Sequence, residues 1–182
     1  MSSTALYAHL LGPDWERLPE RVRRLHTEGL ARGHFTLRRG PGPLAALVSW
    51  LLRLPPAGED VPTRLAIRPH GEGLCWERAF GPHALVTHQH GAAGPRLVEW
   101  HGPIACVFRL SAEAAGLRYE QVEAWVRLGP WTWRVPRPLA PRVEARVTDS
   151  PEGMHVHVRL GAALVGTLLS YEGRVLPEET PP

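Results

Sequence analysis

Residues 61–80, VPTRLAIRPHGEGLCWERAF, decide the fold of this 182-residue chain. Up to residue 68 the positions of one face alternate with those of the other. One face has Val61, Thr63, Leu65 and Ile67, and the other has Pro62, Arg64, Ala66 and Arg68. A period of two is typical of a β-strand with one buried face. The turn residues HGEG at 70–73 then precede Leu74, Trp76 and Phe80. This stretch predicts two antiparallel strands joined by a short turn.

The same alternation continues on both sides of this hairpin. It predicts further strands at 35–37, 84–90, 97–100, 104–110, 117–128, 143–148, 154–160 and 164–176, about ten strands in all. Most connections are short, which favours an antiparallel meander that curls into a barrel or splits into two packed sheets. Residues 129–141 are predicted to form one long irregular loop, rich in Trp, Arg and Pro.

Three segments have helical patterns. One helix is predicted from Ser3 or Thr4 to Leu11, a second from Pro19 to Glu28, and a third over residues 44–54. The third is apolar on nearly every face, which is typical of a buried helix. We therefore predict a single α+β domain over residues 1–176 with a frayed tail at 177–182. Its sheet is strongly curved, mostly antiparallel and barrel-like, with eight to ten strands, two N-terminal helices and one buried helix.

The composition excludes several classes of protein. With 43% hydrophobic and 21% charged residues, the chain is unlike collagen, coiled coils and disordered proteins. All 21 basic residues are Arg, and Lys and Asn are absent, which is the codon bias of a high-GC genome. A net charge of +3 is small for a dedicated nucleic-acid binder, so we expect no nucleic-acid partner. With no signal-peptide pattern and no apolar run of about 20 residues, we expect a cytoplasmic protein without a membrane span.

Several segments, in order, resemble one family. They are Leu11-Gly12, Leu18-Pro19, Leu25-His26, GPGPLAALVSWLLRLPPAGEDV at 40–61, Trp76 with Arg78 and Phe80, Gly116-Leu117, Leu128-Gly129, Leu139-Ala140-Pro141, and Gly166 with Tyr171, Gly173 and Leu176. They resemble an uncharacterised bacterial family of unknown function. Its members occur alone or fused C-terminally to saccharopine-dehydrogenase-like or short-chain-dehydrogenase-like reductase domains. The resemblance implies a module without assigned catalytic residues, and a reductase as a possible partner.

This chain departs from the family pattern at two places near the last strand. Gly161-Ala162 stands where a Leu-Pro is expected, and Arg174 stands where a Trp is expected. The resemblance is therefore weakest at that edge of the fold.

Four of the ten histidines form two His-x-His pairs, His88/His90 and His155/His157. Residues two apart in a strand share a face, so each pair is able to present two imidazoles to one metal ion or haem. For His155 and His157 the competing interpretation is that they are exposed, because Met154, Val156 and Val158 form the opposite, apolar face of their strand. For His88 and His90 the parity is ambiguous, because Val86 shares their face and Leu85 lies opposite. A site built from both pairs requires adjacent strands, which the sequence does not establish.

Other catalytic patterns are missing from the sequence. There is no G-x-S-x-G motif, and Asp14, Asp60 and Asp149 are all in turn or cap contexts. The GPGP run at 40–43 lacks the Lys of a P-loop, and Cys75 and Cys106 belong to no CxxC framework. We therefore expect no cofactor, and the chain leans towards a non-catalytic role.

Tryptophan and arginine give the remaining candidates. We predict that Trp50, Trp76, Trp125, Trp131 and Trp133 line a site between the curved sheet and the buried helix, with Arg134 and Arg137 in reach of an anionic group. The alternatives are that these Trp side chains cover the end of the sheet and that the interior is a filled core. The leading hypothesis is a binding module for an apolar or amphipathic small molecule. The others are a His-based metal or haem barrel and an accessory or oligomerisation module for a reductase.

Overall fold

The computed structural model describes residues 4–178. Ser3 of the predicted first cap and residues 179–182 of the predicted tail lie outside this range. In chain order the elements are α1 (Thr4–Leu11), a 3₁₀ helix (Gly12–Arg17), α2 (Glu20–Leu25), β1 (Gly29–Arg39), α3 (Pro43–Leu51), β2 (Gly58–His70), β3 (Gly73–Phe80), β4 (His83–Ala92), β5 (Arg96–His101), β6 (Ile104–Glu113), β7 (Gly116–Leu128), β8 (Trp131–Arg134), β9 (Pro141–Ser150), β10 (Gly153–Ala162) and β11 (Gly166–Pro177).

Ten of these strands close into an antiparallel barrel. Their order is β6-β5-β4-β3-β2-β1-β11-β10-β9-β7, and β7 pairs back with β6 to complete the ring. Except at the β1–β11 closure and at the β7–β9 pair, which β8 separates along the chain, neighbouring strands are consecutive, as in an up-and-down barrel. The predicted curved, barrel-like antiparallel sheet is confirmed. The α+β label overstated the helices, because the three helices are short and lie at the barrel's ends.

Strand β7 changes partner along its length. Its first residues, Gly116 to Glu120, pair with β9, and its last four pair with β8. Between them the Gln121 side chain replaces the ladder, since its Nε2 donates to the Pro141 carbonyl and its Oε1 accepts from the Val143 N–H, both at 2.7 Å. The loop predicted at 129–141 is therefore not wholly irregular, because it contains β8.

The two ends of the barrel are built differently, because connections in a meander alternate between ends. Helices α1 and α2 and the 3₁₀ helix close one end, where Tyr7, Trp15, Val22 and Leu25 are buried. We call this the helical end. The other end, which we call the rim, carries α3, the turns after β3, β5 and β10, and the segment from β7 through β8 to β9.

The prediction that the third helix is buried is wrong. Only Ala45 and Ser49 of α3 are buried, and the Ser49 hydroxyl lies 3.4 Å from the Leu168 carbonyl of β11. Leu44, Leu47, Trp50 and Leu51 are exposed, with 72% of Trp50 accessible. An all-apolar sequence predicts burial on every side, but a helix at a rim has a neighbour on one side only.

Among residues 4–178, no helix combines the length and apolar character that a membrane crossing requires.

The exposure of α3 gives a stability prediction. Leu47→Ala should lower the free energy of unfolding by under about 0.5 kcal/mol, as is usual at exposed sites. Leu169→Ala should cost about 2 to 5 kcal/mol, because Leu169 is 2% exposed inside the barrel. Urea unfolding of both variants checks this, and equal costs would contradict the placement of α3.

Candidate functional site

The barrel encloses a cavity of about 180 Å³. At the helical end its wall includes Leu25 and His26, and towards the rim it includes Leu52 and Leu54, which follow α3. The cavity therefore runs along the barrel axis beneath the segment that leaves α3.

Most of the cavity wall is apolar, because alternate residues of each strand point inward. The apolar wall includes Phe35, Leu65, Phe80, Leu85, Phe108, Val143, Val147, Val156, Val158, Leu160, Leu169 and Val175. These side chains come from eight of the ten barrel strands, so the wall depends on closure of the sheet.

One cluster of polar side chains interrupts this wall. The Arg78 guanidinium donates to the Glu99 carboxylate at 3.1 Å and to the Thr87 hydroxyl at 2.9 Å, and its Cζ lies 5.0 Å from the centroid of the Trp76 ring. Both charged side chains are largely buried, at 15% and 18% exposure. A buried charge is tolerated when it is paired and hydrogen-bonded, as this pair is.

A second polar chain connects the cavity to α1. The Tyr7 hydroxyl donates to Gln89 Oε1 at 2.7 Å and lies 3.1 Å from the Tyr119 hydroxyl. Because Tyr7 has one hydroxyl proton, Tyr119 is the donor in the second bond. Burial, more than any neighbouring charge, raises the pKa of both phenols, so they stay neutral.

Two ring nitrogens of the cavity residues have no hydrogen-bond partner among residues 4–178: Nε2 of His26 and Nε1 of Trp76. The His26 Nδ1 donates to the Val22 carbonyl at 2.7 Å, which leaves Nε2 as the acceptor of a neutral ring. Burial, with the Arg78 charge adding to it and the Val22 bond opposing it, lowers the pKa of His26 to about 4. The two rings lie 5.6 Å apart, centroid to centroid.

Cys106 is the thiol on this wall. Burial, with the Glu99 carboxylate as a smaller cause, raises the pKa of Cys106 to about 12. A nucleophilic cysteine needs its thiolate, which this environment disfavours. Cys106 is therefore poorly suited to act as a nucleophile.

A family model described as "Domain of unknown function (DUF4166)" matches residues 18–175. The chain belongs to this family. All the residues named here as cavity wall lie within the matched range, whereas α1 with Tyr7 precedes it. No curated protein and no solved structure matches the chain. Family membership therefore shows that residues 18–175 correspond to a known domain, and it assigns no function to that domain.

Of the five predicted tryptophans, only Trp76 lines the cavity of this family member. Trp50 is on the exposed face of α3, and Trp131 and Trp133 stack on each other on β8, 6.5 Å apart between ring centroids. Trp125 donates to Glu123 at 3.1 Å and packs with a second cluster around Trp100.

The two predicted arginines lie outside the cavity. Arg134 and Arg137 line an exterior groove of about 860 Å³ beside β7 and β9. Glu113, Glu120, Glu123 and Glu144 line the same groove, and Arg134 pairs with Glu123 at 3.4 Å. The excess of arginine along this part of the sequence is therefore partly offset in three dimensions by carboxylates from β6, β7 and β9.

The two His-x-His pairs are far apart. β4 carries His88 and His90, β10 carries His155 and His157, and five steps separate these strands in either direction around the ring. Both pairs are on outward positions, because the residues that alternate with them, Thr87 and Gln89 on β4 and Val156 and Val158 on β10, line the interior. Among residues 4–178, no three His, Cys, Asp or Glu side chains are grouped as a metal site would need. The hypothesis that both pairs together form a single metal site is therefore wrong.

Sequence reasoning missed Arg78, Thr87, Gln89 and Glu99 as candidates. A signal for them existed: each occupies an inward position of its strand, as Arg78 does between Trp76 and Phe80. A polar residue in the apolar register of a strand indicates an internal polar site. The sequence gives no comparable indication of the contacts that His26 and Tyr7 make with the cavity residues, because those contacts depend on how the N-terminal helices pack.

The lowered pKa of His26 gives a prediction for the pH dependence of folding. The pKa of His26 is 6.5 in the unfolded chain and about 4 in the folded chain, so below pH 6.5 protonation favours the unfolded state. The free energy of unfolding that is present above pH 6.5 is therefore lost as the pH falls through 4. The loss should be about 3 kcal/mol. Urea unfolding at pH 7 and pH 4 should show this loss for the wild type relative to His26→Gln, and parallel profiles would contradict it.

Proposed function

We propose that this domain is a non-catalytic binding module for a small amphipathic molecule held inside the barrel. The observation that carries the proposal is the cavity itself, a mostly apolar interior with a polar cluster at Arg78, Thr87 and Glu99. Concave, largely apolar sites with a few placed polar groups are the usual form of small-molecule sites.

The apolar wall supplies the binding free energy. Transfer of apolar surface from water contributes about 25 cal/mol per Å², or about 0.8 kcal/mol for each CH₂ group buried. A cavity of about 180 Å³ is close to the roughly 150 Å³ of an apolar cavity that takes up benzene. The cavity is therefore large enough for a molecule of about the size of benzene or slightly larger.

The polar cluster favours a neutral head group over a carboxylate. The Arg78 charge is already matched by Glu99, so an incoming anion would meet an uncompensated carboxylate inside the barrel. A hydroxyl group avoids this cost and both donates and accepts hydrogen bonds. It also suits the nearby Trp76 indole, a donor, and His26 Nε2, an acceptor, which have no partner among residues 4–178.

The segment after α3 is the natural point of entry. Leu52 and Leu54 form part of the cavity wall, yet they belong to the connection at the rim rather than to a strand. His101 fastens this connection, since its ring nitrogens lie 3.0 Å from the Leu52 carbonyl and 3.1 Å from the Val86 carbonyl. Arg39 holds the same connection, because its guanidinium donates to the Leu54 and Pro55 carbonyls. These few side-chain hydrogen bonds are easier to open than the closed sheet or the helical end.

Calorimetric titration with 1-octanol and with octanoate tests the proposal. The alcohol should bind with one site per chain and more tightly than the anion. Ala145→Trp, which places a large ring in the cavity, should weaken octanol binding by at least about tenfold. Ala114→Trp is the matched control, because Ala114 is exposed in the turn between β6 and β7. Equal octanol affinities for the two variants would refute the assignment of the site to the cavity.

A further inference from the structure

We propose that the rim of the barrel docks on an anionic lipid bilayer. The first observation is that exposed apolar side chains are concentrated there. Of the eleven large hydrophobic residues that are exposed among the described side chains, nine belong to α3, the β10–β11 turn or the segment from the end of β7 to β9. The two exceptions are Val86 and Leu176.

The elements that carry these side chains are neighbours at the rim. Strands β7, β9, β10, β11 and β1 are consecutive around the barrel. β8 follows β7 along the chain at the rim. The turn between β10 and β11 also lies at the rim, and α3 follows β1 there. We call the surface of Leu47, Trp50, Leu51, Trp131, Trp133 and Leu164 the rim patch. A concentration of exposed apolar side chains at one end of a domain marks a site of interaction.

The residue types in the rim patch favour a bilayer as its partner. Half of the six are Trp, and the rest are Leu. Trp prefers the boundary between water and hydrocarbon, where its ring is buried and its N–H stays hydrated. Helix α3 presents this composition along an exposed face, as helices that lie in a membrane surface do.

The charges around the patch match an anionic surface. The rim segments 38–60, 125–142 and 161–167 contain seven arginines, against Glu59 and Asp60 as the acids. Asp60 is engaged with His34 at 2.8 Å. Arg53 and Arg137 are exposed and have no ion pair among residues 4–178. Basic side chains beside an apolar patch contribute roughly 1 kcal/mol each at a surface of anionic lipid.

The position of the patch connects docking with the cavity. Leu52 and Leu54 follow α3 directly and line the cavity, so a bilayer that contacts α3 lies at the proposed point of entry. The helical end has no comparable patch among the described side chains, since Leu176 is its single large exposed hydrophobic residue.

Vesicle co-sedimentation of the full chain tests the proposal. The wild type should bind vesicles of phosphatidylcholine and phosphatidylserine in a ratio of about 7 to 3 and bind pure phosphatidylcholine much more weakly. The double variant Leu47→Ser/Trp50→Ser should lower the partition coefficient by at least about tenfold. Arg53→Gln and Arg137→Gln should each lower it by roughly fivefold, and high salt should do the same.

Leu176→Ser is the matched control, because it removes an exposed Leu at the opposite end and should leave vesicle binding unchanged. Thermal unfolding midpoints equal to that of the wild type show that the variants are folded. Three results would overturn the proposal: no binding of the wild type to anionic vesicles, equal binding by the wild type and Leu47→Ser/Trp50→Ser, or a dimer in sedimentation velocity that this double variant dissociates while vesicles bind neither form. Octanol titration without vesicles is independent of all three results.

Discussion

The pairing of β1 with β11 is the constraint on which the rest of the structure depends. It joins the first strand to the last and converts an open meander into a ring. Glycine permits the close approach: a Cβ on Gly33 would lie 1.8 Å from the Arg174 carbonyl oxygen, and one on Gly173 would lie 2.1 Å from that of His34. No larger side chain fits such a contact without moving the backbone. Closure also removes the sheet edges and creates the interior.

A closed barrel shields the inward side chains from bulk solvent, and this burial explains the chemistry of the site. The Arg78 guanidinium is hydrogen-bonded to both Glu99 and Thr87, which allows it to be buried. His26 stays neutral because its ring is surrounded by Tyr7, Trp76 and Tyr119. The asymmetry of the ends then gives the domain a direction, with helices packed tightly at one end and a short, hydrogen-bonded connection at the other.

The barrel could be predicted from sequence because alternation with a period of two, and short turns, recur from residue 61 to the C-terminal strand. The placement of α3 could not, since its composition is the same for a buried helix and for one at a rim with exposed Leu47 and Trp50. The sequence predicts that Trp76 lines the cavity, but it does not show that Trp131 is exposed on the outside. Which face of a strand points inward depends on the register of the sheet. The charge pair of Arg78 and Glu99 needed strands β3, β4 and β5 aligned before it could be recognised.

The central claim is that the barrel interior is the binding site. The most direct measurement is an NMR experiment on the methyl-labelled full chain with bound 1-octanol, which records nuclear Overhauser contacts between the alkyl chain and protein methyl groups. The account predicts contacts with Val156, Val158 and Leu169, which line the cavity from β10 and β11. Contacts confined to Leu47 and Leu51 on the outside of α3 would contradict it.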